Sequence, residues 1–264
     1  MELKKIVYSV ENGVAVVAMN FPGNLNAIDE QMADDLILAL QAADKDPEVK
    51  VILLKSLGKA FSAGGDIGYF YQLVKAGGDV NMDGLIAKVG VVADLMKKTG
   101  KPVVTAVNGA AAGAGFSLAI GGDFMVCADN AQLILAFVNL GLVPDTGATY
   151  LLAKSIGASR AIRYAMLGTP IKADEALDLG LAYKVVPKEE LEAEAMKLCA
   201  KLAKGPLTSY ANSKKQVYDA SFSDSAKWLA ETEVPTQAVC SATEDFKEGV
   251  CAFMEKRKPV WQGK

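Results

Sequence analysis

Apolar runs of strand length recur through the first half of the chain, separated by turns, small-residue loops and segments of helical periodicity. Ile6–Val10 and Val14–Asn20 flank Glu11-Asn12-Gly13, a turn-type tripeptide, and predict a β-hairpin. Val49–Lys55, Pro102–Val107 and Phe124–Ala128 are apolar runs that read as further strands. Asp29–Ala43 sets Met32, Leu36, Ala39, Leu40 and Ala43 at helical spacing behind an aspartate suited to capping. Ile86–Lys98 reads as a helix closed by Gly100 with Pro102 beyond it, and Gly113–Gly121 as a helix of small residues. Repeated strand–loop–helix units argue for an α/β core. After Thr146 the pattern becomes almost wholly helical, through Thr149–Ile156, Ser159–Leu167, Ala173–Leu179 and Lys188–Ala203. A last helix carries Phe246, Val250, Phe253 and Met254 on one stripe. Lys75–Asp83, with paired glycines, aspartates and an asparagine, reads as a mobile loop, and no linker separates independent domains.

The chain contains no histidine. That removes Ser-His-Asp and Cys-His machinery, histidine bases and most zinc and haem sites, so acid–base chemistry falls to Asp, Glu, Lys, Tyr, Cys or the backbone. A net charge of −3 without basic runs gives no support for nucleic acid or an acidic membrane surface as a partner. No apolar stretch reaches the roughly 18–20 residues of a membrane span, and the first residues lack the pattern of a signal peptide. Cys127, Cys199, Cys240 and Cys251 show no paired spacing, which favours a reducing, cytoplasmic setting.

Three segments combine small residues with isolated polar groups. Lys59–Ile67 contains Ala63-Gly64-Gly65-Asp66 directly after a strand; such a loop either exposes N–H groups to a ligand or is a tight turn capped by Asp66. Val107–Ser117 places six small residues, Gly109 to Ala114, before a helix. This arrangement serves an anion through free N–H groups, or close packing of helix on sheet. A dinucleotide site is disfavoured, because no acidic residue stands at the distance needed to hold a ribose. In Ala136–Gly147, Asp145 follows a proline and precedes a helix, as an ordinary N-cap would. Its apolar neighbours allow the other reading, a carboxylate whose proton affinity is raised in a dry pocket. Two N–H-rich loops and one such Asp suffice for enolate chemistry, each preorganised donor contributing ~3–4 kcal/mol to an oxyanion.

At these segments the sequence resembles the enoyl-CoA hydratase/isomerase (crotonase) superfamily, and the similarity runs through nearly the whole chain. Asn26-Ala27, Phe61–Asp66, Val107–Asp123, Gly141–Asp145, Leu167-Gly168, Ala173–Ala176, Gly180-Leu181 and Asp245–Val250 match its signature blocks in order. The resemblance implies a crotonase-like (ClpP/crotonase) spiral of ββα units over residues 1–200 and a helical C-terminal trimerisation region over 201–264. It implies an acyl-CoA substrate with coenzyme A entering as part of it, no metal or other cofactor, and assembly as a homotrimer or a dimer of trimers. The family's oxyanion hole maps to the N–H groups of Gly65 and Ala114. Ala63, Asp66 and Ile67 fall where its loop follows the CoA moiety, with Ala27 of the first block as a further contact.

The departures from the family pattern bear on the reaction. Hydratases of the family use two glutamates, and those positions are Ser117 and Phe137 here. Asp145 matches instead the aspartate used by isomerases of the family, with the pattern nearest the epoxyphenylacetyl-CoA and enoyl-CoA isomerases. The resemblance therefore implies a double-bond isomerase with Asp145 as its acid and base. Rival expectations are an enoyl-CoA hydratase, a reaction through a nucleophilic Asp145 as in 4-chlorobenzoyl-CoA dehalogenase, and a non-catalytic acyl-CoA-binding subunit.

Overall fold

The computed structural model describes residues 2–78 and 80–263. Strands β1 (Ile6–Glu11) and β2 (Val14–Met19) form the expected hairpin, pairing Ile6 with Met19 and Glu11 with Val14. Two residues are left to turn the chain, and both Asn12 (φ 51°) and Gly13 (φ 79°) adopt the left-handed conformation that such a turn demands. Helix α1 (Glu30–Lys45) starts where Asp29 accepts the Met32 N–H at 2.9 Å, and it buries Met32, Leu36, Ala39, Leu40 and Ala43.

The chain then lays down β3 (Val51–Ser56), α2 (Ile67–Lys75), α3 (Asp83–Lys98) and β4 (Val103–Val107). The short β5 (Ala110–Ala112), α4 (Ala114–Gly121), β6 (Phe124–Ala128) and β7 (Gln132–Ile134) follow. The run expected to be helical supplies α5 (Ala148–Ile156) and α6 (Ala158–Leu167), but also β8 (Ile171–Lys172), before α7 (Ala173–Asp178). It then gives one more strand, β9 (Lys184–Val186), ahead of α8 (Leu191–Ala203). Six strands form one sheet in the order β1-β2-β3-β4-β6-β9, parallel except for the opening hairpin. The other three, β5-β7-β8, form a small second sheet. Neither β8 nor β9 is legible in the helical reading; at two and three residues each, they are defined by the partner they lie against.

One face of the large sheet packs on α1, α3 and α4 in the main core, and the other on α8, whose Leu191, Ala195, Leu198 and Leu202 cover Val51, Leu53, Val104 and Val126. The stretch expected as a mobile loop is tied in at Val80 and Met82, both buried in the main core; Asp79 within it lies outside the described residues.

The C-terminal helices are α9 (Leu207–Phe222), α10 (Ser225–Trp228), α11 (Val234–Ser241) and α12 (Glu244–Met254), with a π-helical turn at Leu229–Glu233 between α10 and α11. Helix α9 is fastened by Lys214, which pairs with Asp123 at 2.8 Å, and by Tyr218, which donates to the same carboxylate at 3.1 Å. The π turn is brought close to α3 by Gly90, where a Cβ would overlap the Leu229 side chain. Helix α12 sits against α2 and the 3-10 turn Ala136–Leu140; a Cβ on Gly249 would lie 2.7 Å from the Leu140 backbone. These two close approaches carry the C-terminal segment onto the same end of the sheet as the small-residue loops.

Candidate active site

The two small-residue loops lie side by side. The Phe61 and Ser62 N–H groups donate to Ala110 O at 2.9 and 3.1 Å, and the Ala112 N–H donates to Ser62 O at 2.9 Å. Gly64 (φ 87°) has no room for a side chain, since a Cβ there would meet Ala112 O at 2.7 Å. A Cβ on Gly115 would similarly lie 2.6 Å from the Ser62 side chain. Close packing therefore accounts for several of the glycines, as one of the two sequence readings held. It also spends most of the backbone donors: Gly113 N–H goes to Ile134 O at 3.0 Å, and Gly64 N–H to the Ser62 hydroxyl at 3.2 Å. The N–H groups of Gly65 and Ala114 have no acceptor among the described residues. Both residues line one cavity of about 350 Å³. Ala114 is the first residue of α4, so its N–H also carries the positive end of that helix's dipole.

Asp145 lines the same cavity and is 5 % exposed. It is not an N-cap: α5 begins at Ala148 behind Gly147 (φ 83°), with no side-chain capping bond. Instead the Asp145 carboxylate accepts a hydrogen bond from Gln237 Nε2 at 2.9 Å. Burial pushes its pKa up to about 7, and the neighbouring Glu233 charge pushes the same way; the hydrogen bond from Gln237 pulls it back in part. Thr146, held at φ 55°, donates to the Ser117 hydroxyl at 2.7 Å, and Ser117 donates to Asp145 O at 3.3 Å. Ser117 is thus a fully buried backbone brace. Phe137 lines the cavity, with its ring edge 3.9 Å from where a Gly113 Cβ would stand.

The rest of the lining is largely apolar. Ile28, Phe70, Met82, Ile86, Val89 and Leu142 contribute to it. Ala63 and Ile67 also line the cavity, whereas Ala27 and Asp66 do not. Ala27 is buried and its N–H is bonded to Asn24 O at 2.9 Å. Asp66 caps α2 by accepting the Tyr69 N–H at 3.2 Å and also accepts from Asn24 Nδ2 at 3.0 Å. The structure therefore brings Asp145, Gly65, Ala114, Ala63 and Ile67 to one place and sets Ala27 and Asp66 beside it.

Two polar residues at the site were missed in the sequence. Gln237 lines the cavity, and Glu233, 2 % exposed, accepts the Gly147 N–H at 2.6 Å and the Thr149 hydroxyl. The only hint was their spacing: with Pro235 between them, an acid and an amide four apart share a helix face.

Residues 9–264 match the family model described as enoyl-CoA hydratase/isomerase. The chain belongs to that family. Curated relatives in the enoyl-CoA hydratase/isomerase family include the trans-2-decenoyl-[acyl-carrier-protein] isomerase of Streptococcus mutans, 36 % identical over the whole of both chains. The 1,2-epoxyphenylacetyl-CoA isomerase of Escherichia coli is 34 % identical over 98 % of each chain. The crotonyl-CoA hydratase of Syntrophomonas wolfei is 35 % identical, again over 98 % of each. Among solved structures, an enoyl-CoA hydratase from Mycobacterium avium subsp. paratuberculosis superposes with a TM-score of 0.89 at 31 % identity, covering 99 % of this chain and all of the other. The fold is thus the crotonase fold expected for the enoyl-CoA hydratase/isomerase family, and isomerases and hydratases both stand among similar relatives.

Proposed function

We propose that this chain is an isomerase that shifts a double bond in an acyl thioester, with Asp145 as both acid and base. The observation that carries this reading is a single buried carboxylate, with a pKa near 7, in one apolar cavity with two unpaired N–H groups. For a 3-enoyl thioester, Asp145 takes a proton from the carbon next to the carbonyl. The charge moves onto the thioester oxygen as a dienolate, where the Gly65 and Ala114 N–H groups meet it. The protonated Asp145 then returns the proton to the far carbon of the dienolate. One carboxyl group serves both steps, and the reaction is redox-neutral. A pKa near working pH suits such a group, since it must first take the proton and then release it.

Hydration requires a water to be activated and placed in the same cavity. Ser117 is spent on bracing Asp145 O, and Phe137 offers no proton acceptor. Introducing Phe137→Glu alone gives no measurable gain in hydration of a 2-enoyl-CoA, followed as loss of enoyl absorbance, because the other glutamate position is still Ser117, which is committed to Asp145 O. The reading is tested by supplying purified protein with 3-enoyl and 2-enoyl thioesters and recording spectra. Conversion of 3-enoyl to 2-enoyl supports it; hydration of the 2-enoyl ester without isomerisation would overturn it. A covalent adduct on Asp145, seen by intact mass, marks the nucleophilic alternative, and thioester binding without turnover on any ester marks a non-catalytic subunit.

The Streptococcus mutans relative is named for an acyl-carrier-protein substrate, so the assay includes acyl groups on both CoA and acyl carrier protein. Assembly as a trimer is proposed with it. Helix α9 buries no residue of its own within the chain, and α6 leaves Ile162, Met166 and Leu167 more than half exposed. Sedimentation equilibrium is expected to give three times the 27.8 kDa chain mass, or a multiple of that.

A further inference from the structure

Asp145 is held by one face of the segment that runs from the π turn into α11, and that face does more than fill space. Gln237 is 1 % exposed and has a fixed orientation: its Oε1 accepts the Val143 N–H at 3.1 Å, which obliges its Nε2 to be the group facing Asp145 Oδ2. One turn earlier, Glu233 grips the loop just past Asp145, with one oxygen on the Gly147 N–H and the other on the Thr149 hydroxyl. Both side chains project from the junction of the π turn with α11, a helix irregularity of the kind that recurs at functional sites.

We propose that Gln237 and Glu233 are positioning residues for Asp145: Gln237 occupies Oδ2 so that Oδ1 is the oxygen that takes and returns the substrate proton, and Glu233 fixes the turn and keeps a negative charge beside it. The inference rests on Asp145 being the acid and base of the proposed isomerase. A donor N–H already pointed at Oδ2 stabilises the carboxylate and leaves the arriving proton to the other oxygen. Glu233 acts in the opposite sense. Both of its oxygens receive donors, which suits the ionised form, and its charge then favours a protonated Asp145. Around Asp145 and its cavity, α4 offers Ser117, α3 offers Val89, the 3-10 turn offers Phe137, α11 offers Gln237 and the π turn offers Glu233. Glu233 is the one charged group acting on Asp145 among the described residues. Burial raises the proton affinity of Glu233, and the donors on its two oxygens hold it down in part.

The two residues therefore push Asp145 in opposite directions, which a purely structural pair would not do. The experiment is a pH titration of the Asp145 carboxyl by NMR on 13C-Asp-labelled full-length protein, with Asp145→Asn assigning the resonance, alongside kcat and KM against pH. Glu233→Gln keeps an acceptor for Gly147 and a partner for Thr149; it is expected to lower the Asp145 midpoint by about one unit. Gln237→Met keeps the volume and removes the donor; it is expected to raise the midpoint. The acidic limb of kcat/KM moves the same way in each variant, with KM little changed and kcat lower. Shifts of opposite sign support the proposal. A midpoint that stays at the wild-type value in both folded variants, or moves the same way in both, overturns it. Failure of the underlying reading is separately visible: Asp145→Asn would then keep its turnover, whatever the titration showed.

Discussion

Asp145→Asn loses double-bond migration, with kcat falling about 10³-fold or more, while binding of a saturated acyl-CoA is retained. The asparagine has the same shape and can still accept the Gln237 amide, so the cavity and its N–H groups survive; what disappears is the one carboxyl group that lines the cavity among the described residues. The same variant is more stable than the wild type in alkaline solution. The folded-state pKa of Asp145 is raised from 3.8 to about 7, so the folded protein binds this proton more tightly than the unfolded chain does. Stability from this group is fully present below pH 4 and is lost as the pH rises through 7, up to about 4 kcal/mol by order of magnitude. Calorimetric scans are expected to show the inactive variant melting above the wild type at pH 8, with the gap narrowing toward pH 4. A variant that is dead and also less stable at pH 8 would mean that Asp145 is ordinary packing.

Ala114→Pro tests the oxyanion site without touching any side-chain chemistry. Ala114 opens α4, and the first position of a helix is where proline is best accepted because its N–H has no helical partner to lose. Here that N–H is the one offered to the cavity. Its removal is expected to lower kcat by about 10²–10³-fold, with KM nearly unchanged, because the bond matters most when charge develops on the thioester oxygen. Circular dichroism and melting establish that the variant is folded. A rise in KM with kcat unchanged would instead assign this N–H to ground-state binding.

Much of the frame was legible because local chemistry agreed with the final fold. Asn12-Gly13 named its turn, Asp29 named the start of α1, and the apolar runs at Val51–Ser56 and Val103–Val107 could only be buried. The strand Ala110–Ala112 was not legible, since alanines carry no strand preference and the strand exists because β7 pairs with it and Ser62 bonds to it. At Asp145 the residues alone favoured a cap, the commoner role for such an aspartate; Gly147 as the actual cap leaves the carboxylate to the cavity. Glu233 and Gln237 were out of reach for a different reason. Their meaning lies in a contact with a turn about ninety positions earlier, and spacing on their own helix says nothing of what that face meets.

That separation has a consequence for the order in which the protein comes to life. The sheet, both glycine loops and Asp145 all precede in the sequence the residues that orient Asp145, which come about ninety positions after it. A partly made chain therefore carries the carboxylate without its amide partner, and without the helix that walls one side of the cavity. On the proposed reading, the acid–base site is complete only when Glu233 and Gln237 have docked against the turn that carries Asp145.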